Sequence, residues 1–372
     1  MSRFQPFDLE HYQSQFEHTV ELNLADSSVR CLDVGSWLEP EEREALLASG
    51  LFYPQVNGLQ RLRERIASLY PDTGPDEILV TVGAAQANLL IASTLLRPED
   101  EIVVLTPGYR QIPGLARNLG CRIREVALDP DRNWALDGDA LDAAIRPGTR
   151  MVAVINPNNP TGRVFETSEM ERIVRACERV GAWLHADEVY QNTELEGPST
   201  PSFRGMYDRL VISNSLSKAY GLAGLRIGWT VASPETTQDL WRRHEYQVIA
   251  AAAPSMFLAD LALAPERRPK LLERQRELAR NGQAILEEWL TEHSGLFSVA
   301  ERQATAIAFL RFHLDLPSFD VAEAVRKEAS LLTAPGAFLG AEGHLRLTVG
   351  YEASKIRPAL DRLAEVVGRL AG

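Results

Sequence analysis

The 372-residue sequence predicts an α/β protein, with a mostly parallel central sheet in a large domain and a smaller α+β domain beside it. Two observations carry this. Between residues 77 and 233, short apolar strands alternate with amphipathic helices of 10–14 residues, the order of a parallel sheet covered on both faces. After about residue 235, a long helical stretch gives way to strands and helices in less regular order.

The elements follow in order. Residues 1–50 read as an arm with a short helix over 40–49, PEEREALLAS. LQRLRERIASLY (59–70) repeats apolar residues at spacings of three and four, an amphipathic helix opened just after Asn57–Gly58. Strands are expected at 77–82, 101–107, 121–128, 151–157, 182–188, 209–215 and 225–233. The helices between them are expected at 84–96, 109–120 and 168–181. The helical region over about 235–290 is expected to break near Pro254. Strands near 304–312 and 344–349 and a helix near 354–370 finish the chain. The expected division is 1–50 for the arm and part of the small domain, 51–255 for the large domain, and 256–372 for a connecting helix and the C-terminal small domain.

Composition narrows the function. Lys and Arg number 39 against 51 Asp and Glu, a net charge of -12, which argues against nucleic acid or an anionic membrane as partner. The chain opens MSRFQPFDLEHYQ without an apolar run, and no stretch approaches the length of a membrane span, so a cytoplasmic location is expected. Cys31, Cys121 and Cys177 are far apart and in no metal-ligand spacing, as expected of thiols in a reducing compartment.

Four segments carry candidate chemistry. The first is SNSLSKAYGLAGLRIGW (213–229). A lone lysine usually sits on a solvated face. Lys218 instead follows a short apolar strand and two hydroxyl residues, Ser215 and Ser217, and precedes Arg226 by eight positions. An aldehyde cofactor needs a lysine amine for a Schiff base, and a phosphate on it needs a cation and hydroxyl donors. These four residues supply that set.

The second segment, NPNNPTG (156–162), puts stiff polar backbone at the carboxyl end of a strand, where ligands of parallel sheets bind. Taken alone it is also readable as a mere turn. The third is HADEVY (185–190). Asp187 can accept from a protonated ring nitrogen, and Tyr190 can reach a phenolic oxygen; alone, such an Asp is more often a cap. The fourth is VGAAQA (82–87), where Gly83 turns the chain and the amides of Ala84 and Ala85 open a helix as a phosphate cradle, with Gln86 as a helper. Tyr109 follows another strand and can stack on a ring.

Together, in this order from about Tyr53 to Arg346, these segments resemble the class I/II aminotransferases, pyridoxal 5′-phosphate enzymes of fold type I with the aspartate aminotransferase architecture. The resemblance implies that Lys218 is the Schiff-base lysine and the proton shuttle of an amino transfer from an L-amino acid to a 2-oxo acid. It assigns Asn159 and Tyr190 to the cofactor 3′-oxygen, Asp187 to the pyridine nitrogen, Ser215 and Arg226 to the phosphate, and Tyr109 to the ring face. It assigns Arg346, with Asn159, to the substrate carboxylate, and Tyr53 to the phosphate of a neighbouring subunit in a homodimer with shared active sites. Ala84 and Ala85 depart from the pattern, since many members carry Ser or Thr there.

Two shorter resemblances point to another exit for the same chemistry. ELNLADSSVR (21–30) is similar to the matching stretch of pyridoxal-phosphate arginine oxidases and hydroxylases, and LSKAYGLAGLRIGW to capreomycidine synthase, a cyclase. They imply arginine or a derivative as substrate, with Glu188, Asp26 and Glu245 as candidates for its guanidinium. A third class, a non-catalytic regulatory protein of this fold, is expected to carry a DNA-binding segment. The first 50 residues show no basic helix-turn-helix pattern.

Overall fold

The computed structural model describes residues 4–372. The chain opens with helix α1 (Asp8–Phe16), strand β1 (Leu22–Asn23) and helices α2 (Val34–Trp37), α3 (Pro40–Leu47) and α4 (Gln60–Ala67). The alternating region then runs β2 (Ile78–Val82), α5 (Gly83–Leu95), β3 (Glu101–Thr106), α6 (Gln111–Asn118), β4 (Arg122–Asp129), β5 (Ala135–Leu136), α7 (Gly138–Ala144), β6 (Thr149–Ile155), α8 (Thr167–Val180), β7 (Trp183–Asp187), β8 (Leu210–Ser215) and β9 (Ile227–Val231).

These strands form one sheet in the order β2-β9-β8-β7-β6-β3-β4-β5. The pairs β8–β7, β7–β6, β6–β3 and β3–β4 are parallel; β9 runs antiparallel to both β2 and β8, and β5 is an antiparallel edge. The sequence-based α/β reading therefore holds. The near-continuous apolar strands, such as β3 with all six residues buried, follow from helices covering both faces. The topology also brings the carboxyl ends of β2, β3, β6, β7 and β8 to one edge, with the amino end of β9 beside them. Register shows the alignment: Ile155 is opposite Asp187, and Ser215 is opposite Gly228.

The helical stretch that follows is α9 (Pro234–Gln247), α10 (Ala253–Ala262) and α11 (Arg268–His293). The interruption expected near Pro254 is there, just ahead of the proline, which lies in the first turn of α10, where its missing N–H has no intrahelical partner to lose. The breaks fall at 248–252, where Ile249 adopts φ +67°, and at 263–267.

The last part contains β10 (Phe297–Val299), β11 (Ile307–Phe312), α12 (Ser318–Ala329), β12 (Leu331–Leu332), β13 (Ala334–Pro335), β14 (His344–Thr348) and α13 (Ala353–Ala371). An antiparallel sheet β10-β11-β14-β13 packs against α11, α12 and α13 around Trp289, Phe297, Leu310 and Leu360. The arm joins this second core. β1 pairs in parallel with β12, and Leu24 is buried there. Among the described residues, no helix is long and apolar enough to cross a membrane.

Candidate active site

A cavity of about 620 Å³ lies over the carboxyl edge of the large sheet, between that sheet and the arm. Its walls come from α5, the ends of β6, β7 and β8, the turn before β9, and the arm residues Glu10, Glu17 and Asp26–Ser28.

One end gathers groups that suit an anion. Ala84 and Ala85, in the first turn of α5, line it together with Ser215, Ser217 and Arg226. Helix start, hydroxyls and guanidinium converge there, so backbone N–H groups and a fixed cation face the same space. Gly83 makes this possible. It sits at φ +71°, and a Cβ on it would fall 2.5 Å from Arg226 Nη2. Gly228 does the same from β9, since its Cβ would fall 2.6 Å from the Ala84 nitrogen. Arg226 closes a 3-10 turn at φ +52° and donates from Nη1 to the Ala223 carbonyl at 3.0 Å.

Asp187 ends β7 in the middle of the cavity and is 5% exposed. Burial raises its carboxyl to about 6, against the lowering effects of its hydrogen bonds and of the Lys218 charge. Those bonds are modest: the Val189 N–H at 3.2 Å and the Asn88 amide at 3.5 Å. This carboxylate therefore has room for a cationic donor. His185, two residues earlier on β7, is driven down to about 3 by burial and pairs through Nε2 with Ser213 Oγ at 3.0 Å.

Lys218 follows β8, and its Nζ donates to Ser27 Oγ at 2.8 Å and Ser28 Oγ at 3.2 Å. The Asp26 carboxylate stands 3.8 Å from the same nitrogen. Tyr190 is buried and donates through its hydroxyl to the Ser27 carbonyl at 3.3 Å. Tyr109 lines the cavity and donates to Glu10 Oε1 at 2.8 Å.

Arg346, on β14, is 1% exposed. Its Nη1 donates to Asn159 Oδ1 at 3.2 Å and its Nη2 to the Ala25 carbonyl at 2.7 Å, while its buried Nε has no partner. The guanidinium thus stands behind Asn159, which itself lines the cavity.

The structure gathers Ala84, Ala85, Tyr109, Asn159, Asp187, Tyr190, Ser215, Ser217, Lys218 and Arg226 on one cavity, with Gly83 and Arg346 directly behind it. Tyr53 is elsewhere, 80% exposed on the segment before α4. Two expectations are corrected for side-chain direction. Gln86 turns away and accepts from the Val82 N–H at 2.7 Å, capping its own helix start. Glu188 is buried on the far side of β7's end, accepting from Ser202 Oγ and the Phe203 N–H at 2.9 Å, because consecutive residues point to opposite sides. Glu245 is exposed on α9, outside the cavity. Of the three guanidinium candidates, only Asp26 faces the cavity. Sequence reasoning missed Asn88, Glu10, Glu17, Ser27 and Ser28. Asn88 had a signal, since it stands one helical turn after Ala84.

Residues 20–363 match the family model described as aminotransferase class I and II. The chain belongs to that family. Its members use pyridoxal 5′-phosphate, and the protein is an enzyme. A PLP-dependent aminotransferase from Streptococcus suis superposes with a TM-score of 0.92 at 29% identity, covering 99% of this chain and 98% of that one. The aspartate/prephenate aminotransferase of Thermus thermophilus is 28% identical over 344 residues, 91% of this chain and 89% of that protein. Capreomycidine synthase of Streptomyces vinaceus is 29% identical over 317 residues, 84% of this chain and 79% of that protein.

The residues present fit the family's cofactor. The space left by Gly83 and Gly228 at the start of α5 suits a phosphate, and Asp187 is a buried carboxylate raised by burial for want of a close cation. Lys218 presents an amine on the same cavity.

Proposed function

We propose that this enzyme moves the amino group of an L-amino acid to a 2-oxo acid, with Lys218 as the reacting amine and proton carrier. The observation that carries the reading is the placement of Lys218 Nζ on one cavity with the anion cradle and Asp187, in front of the Asn159–Arg346 pair. In this reading Gly83, Ala84, Ala85, Ser215, Ser217 and Arg226 hold the phosphate. Asp187 pairs with the ring nitrogen, and Asn159 and Tyr190 face the ring oxygen. Tyr109 lies against the ring. Pyridoxal 5′-phosphate, when bound, supplies an aldehyde for amines and a ring that withdraws electrons from the substrate α-carbon.

The chain's own residues do the rest. Arg346 and Asn159 bind the substrate carboxylate and so set which α-substituent faces Lys218. The Lys218 amine would take the α-proton and give a proton back, a general base and then a general acid. The ionised Asp187 keeps its ring partner protonated, which holds the electron demand high. Tyr53, with neighbouring Leu51 and Phe52 exposed, suits a surface covered by a second copy whose phosphate Tyr53 would reach.

The deciding experiment incubates the loaded enzyme with a panel of L-amino acids, arginine included, with and without 2-oxoglutarate or pyruvate. Mass spectrometry should find catalytic oxo acid only when an acceptor is supplied. Turnover without acceptor would overturn the transfer reading.

One observation favours a second reading of substrate and outcome. Glu10, Glu17 and Asp26 all line the arm side of the cavity, a wall of carboxylates suited to a cationic side chain such as a guanidinium. The likeness to capreomycidine synthase points the same way. Arginine would then be the donor, and cyclised or oxidised product formed without acceptor would identify the alternative.

A further inference from the structure

Ser27 and Ser28 belong to none of the segments that mark the cofactor site, yet they are the hydrogen-bond partners of its lysine. The amine that attacks an aldehyde or takes up a proton is the deprotonated form, with two N–H bonds and one lone pair in a tetrahedral arrangement. Two acceptors on the same side occupy both N–H bonds and leave the lone pair pointing away from them. Here both acceptors come from the arm wall of the cavity, so the free direction is away from that wall.

The arm is fixed well enough to aim. Asp26 Oδ1 accepts from the Ser27 and Ser28 N–H groups at 2.6 and 3.1 Å. The Ser28 carbonyl accepts from Thr348 Oγ1 at 2.6 Å, and Ser28 is 2% exposed. The Ser27 carbonyl accepts from Tyr190, and the Ala25 carbonyl from Arg346. Three anchors from outside the four-residue stretch, with the Asp26 bonds inside it, leave the two hydroxyls little freedom to miss Lys218.

We infer that Ser27 and Ser28 are positioning residues that aim the Lys218 lone pair at whatever carbon or proton occupies the cavity. This rests on Lys218 being the reacting amine of the proposed function. The same lone pair attacks the cofactor aldehyde and removes the substrate α-proton, so both steps depend on it, and misdirection slows each.

The test begins without any amino acid. Cofactor-free protein is mixed with pyridoxal 5′-phosphate, and the visible band is followed as Lys218 condenses with the aldehyde. The nitrogen–carbon bond forms and one water leaves. In S27A/S28A this condensation should slow roughly tenfold or more, while the affinity for pyridoxamine 5′-phosphate, which carries no aldehyde, stays at the wild-type value. Ser27→Thr, which keeps a hydroxyl, should restore much of the rate. With the loaded enzyme, the α-deuterium isotope effect on the first half-reaction should rise. If S27A/S28A does not fold, S27A alone carries the same test, since Ser27 is only partly buried. A wild-type condensation rate with an unchanged isotope effect overturns the inference. Slow condensation in an enzyme that transfers no amino group leaves the positioning intact and overturns the proposed function instead.

Discussion

Arg346 donates to the main-chain carbonyl of Ala25, so the cation behind the cavity is capped by the arm. A carboxylate arriving at Arg346 competes with that carbonyl for Nη2. Replacing Arg346 with Lys keeps a charge but loses the planar fork that holds Ala25 and Asn159 together. At about 1.5–3 kcal/mol for a charged hydrogen bond, kcat/KM for amino acids should fall about 10- to 100-fold. Affinity for the cofactor should not change. Steady-state kinetics beside a cofactor titration checks both.

Lys218→Ala should abolish the visible band of the loaded protein and lower the rate by about 10²–10⁴-fold or more, the usual contribution of a general base. Circular dichroism should show an intact fold, because the lysine side chain is partly exposed and contacts only arm residues, Asp26, Ser27 and Ser28, that have other anchors. A visible band that survives the substitution contradicts the lysine assignment.

Asp187 predicts a pH dependence of stability. Its folded value of about 6 lies above the ordinary carboxylate value, so the folded chain binds more protons than the unfolded chain across the interval between them. Stability therefore falls as pH rises through that interval, by on the order of 3 kcal/mol at the top. Glu188, raised to about 8 chiefly by burial, extends the decline upward. Cofactor-free protein should melt at a lower temperature at neutral pH than near pH 5. Asp187→Asn should flatten the acidic part of that decline, and an unchanged profile would refute the account. Added pyridoxal 5′-phosphate should stabilise wild type more at neutral than at acidic pH, because it gives the ionised carboxylate a partner.

Gly83→Ala should damage the phosphate cradle more than the fold. The new methyl meets Arg226 Nη2 at 2.5 Å in a backbone region that costs an L-residue about 1–2 kcal/mol. Cofactor affinity should drop by at least roughly tenfold. Absorbance titration measures this, and wild-type affinity in the variant would show that Arg226 can move aside without loss.

The acidic arm predicts selectivity. Asp26→Asn and Glu17→Gln should reduce kcat/KM for arginine or lysine more than for alanine or phenylalanine, and the gap should narrow with added salt. Equal losses for all four substrates would mean that these carboxylates do not read the side chain.

The sheet was legible because most of its strands are short apolar runs, and the carboxyl ends of β6, β7 and β8, or the turns after them, carry Asn159, Asp187, Ser215 and Lys218. A reader who knows that ligands gather at such ends can find them from spacing alone. Arg346 was different. It lies inside β14, and only the family resemblance marked it, since its burial depends on Asn159 and Ala25 arriving from distant parts of the chain. Ser27 and Ser28 lay in a stretch marked only by its resemblance to arginine oxidases and hydroxylases, and Glu10 and Glu17 had no local signal, because packing of the arm against β14 and α12 is what brings all four to the cavity. Strands β10, β12 and β13 span two or three residues, too few to show a period of two. The interruption near Pro254 was legible because a proline within a helical stretch marks a boundary, whether it starts a helix or ends one.

The arm is tied to the smaller sheet. Thr348 N–H donates to the Leu24 carbonyl at 2.8 Å, and the Arg30 N–H to the Gly350 carbonyl at 2.9 Å. Lys218 hangs from the larger sheet. The gap between Lys218 Nζ and Ser28 Oγ, 3.2 Å, is therefore a vernier between the two cores. A slip of half an ångström in their seating erases that line on the scale, and the lysine is the pointer that registers it.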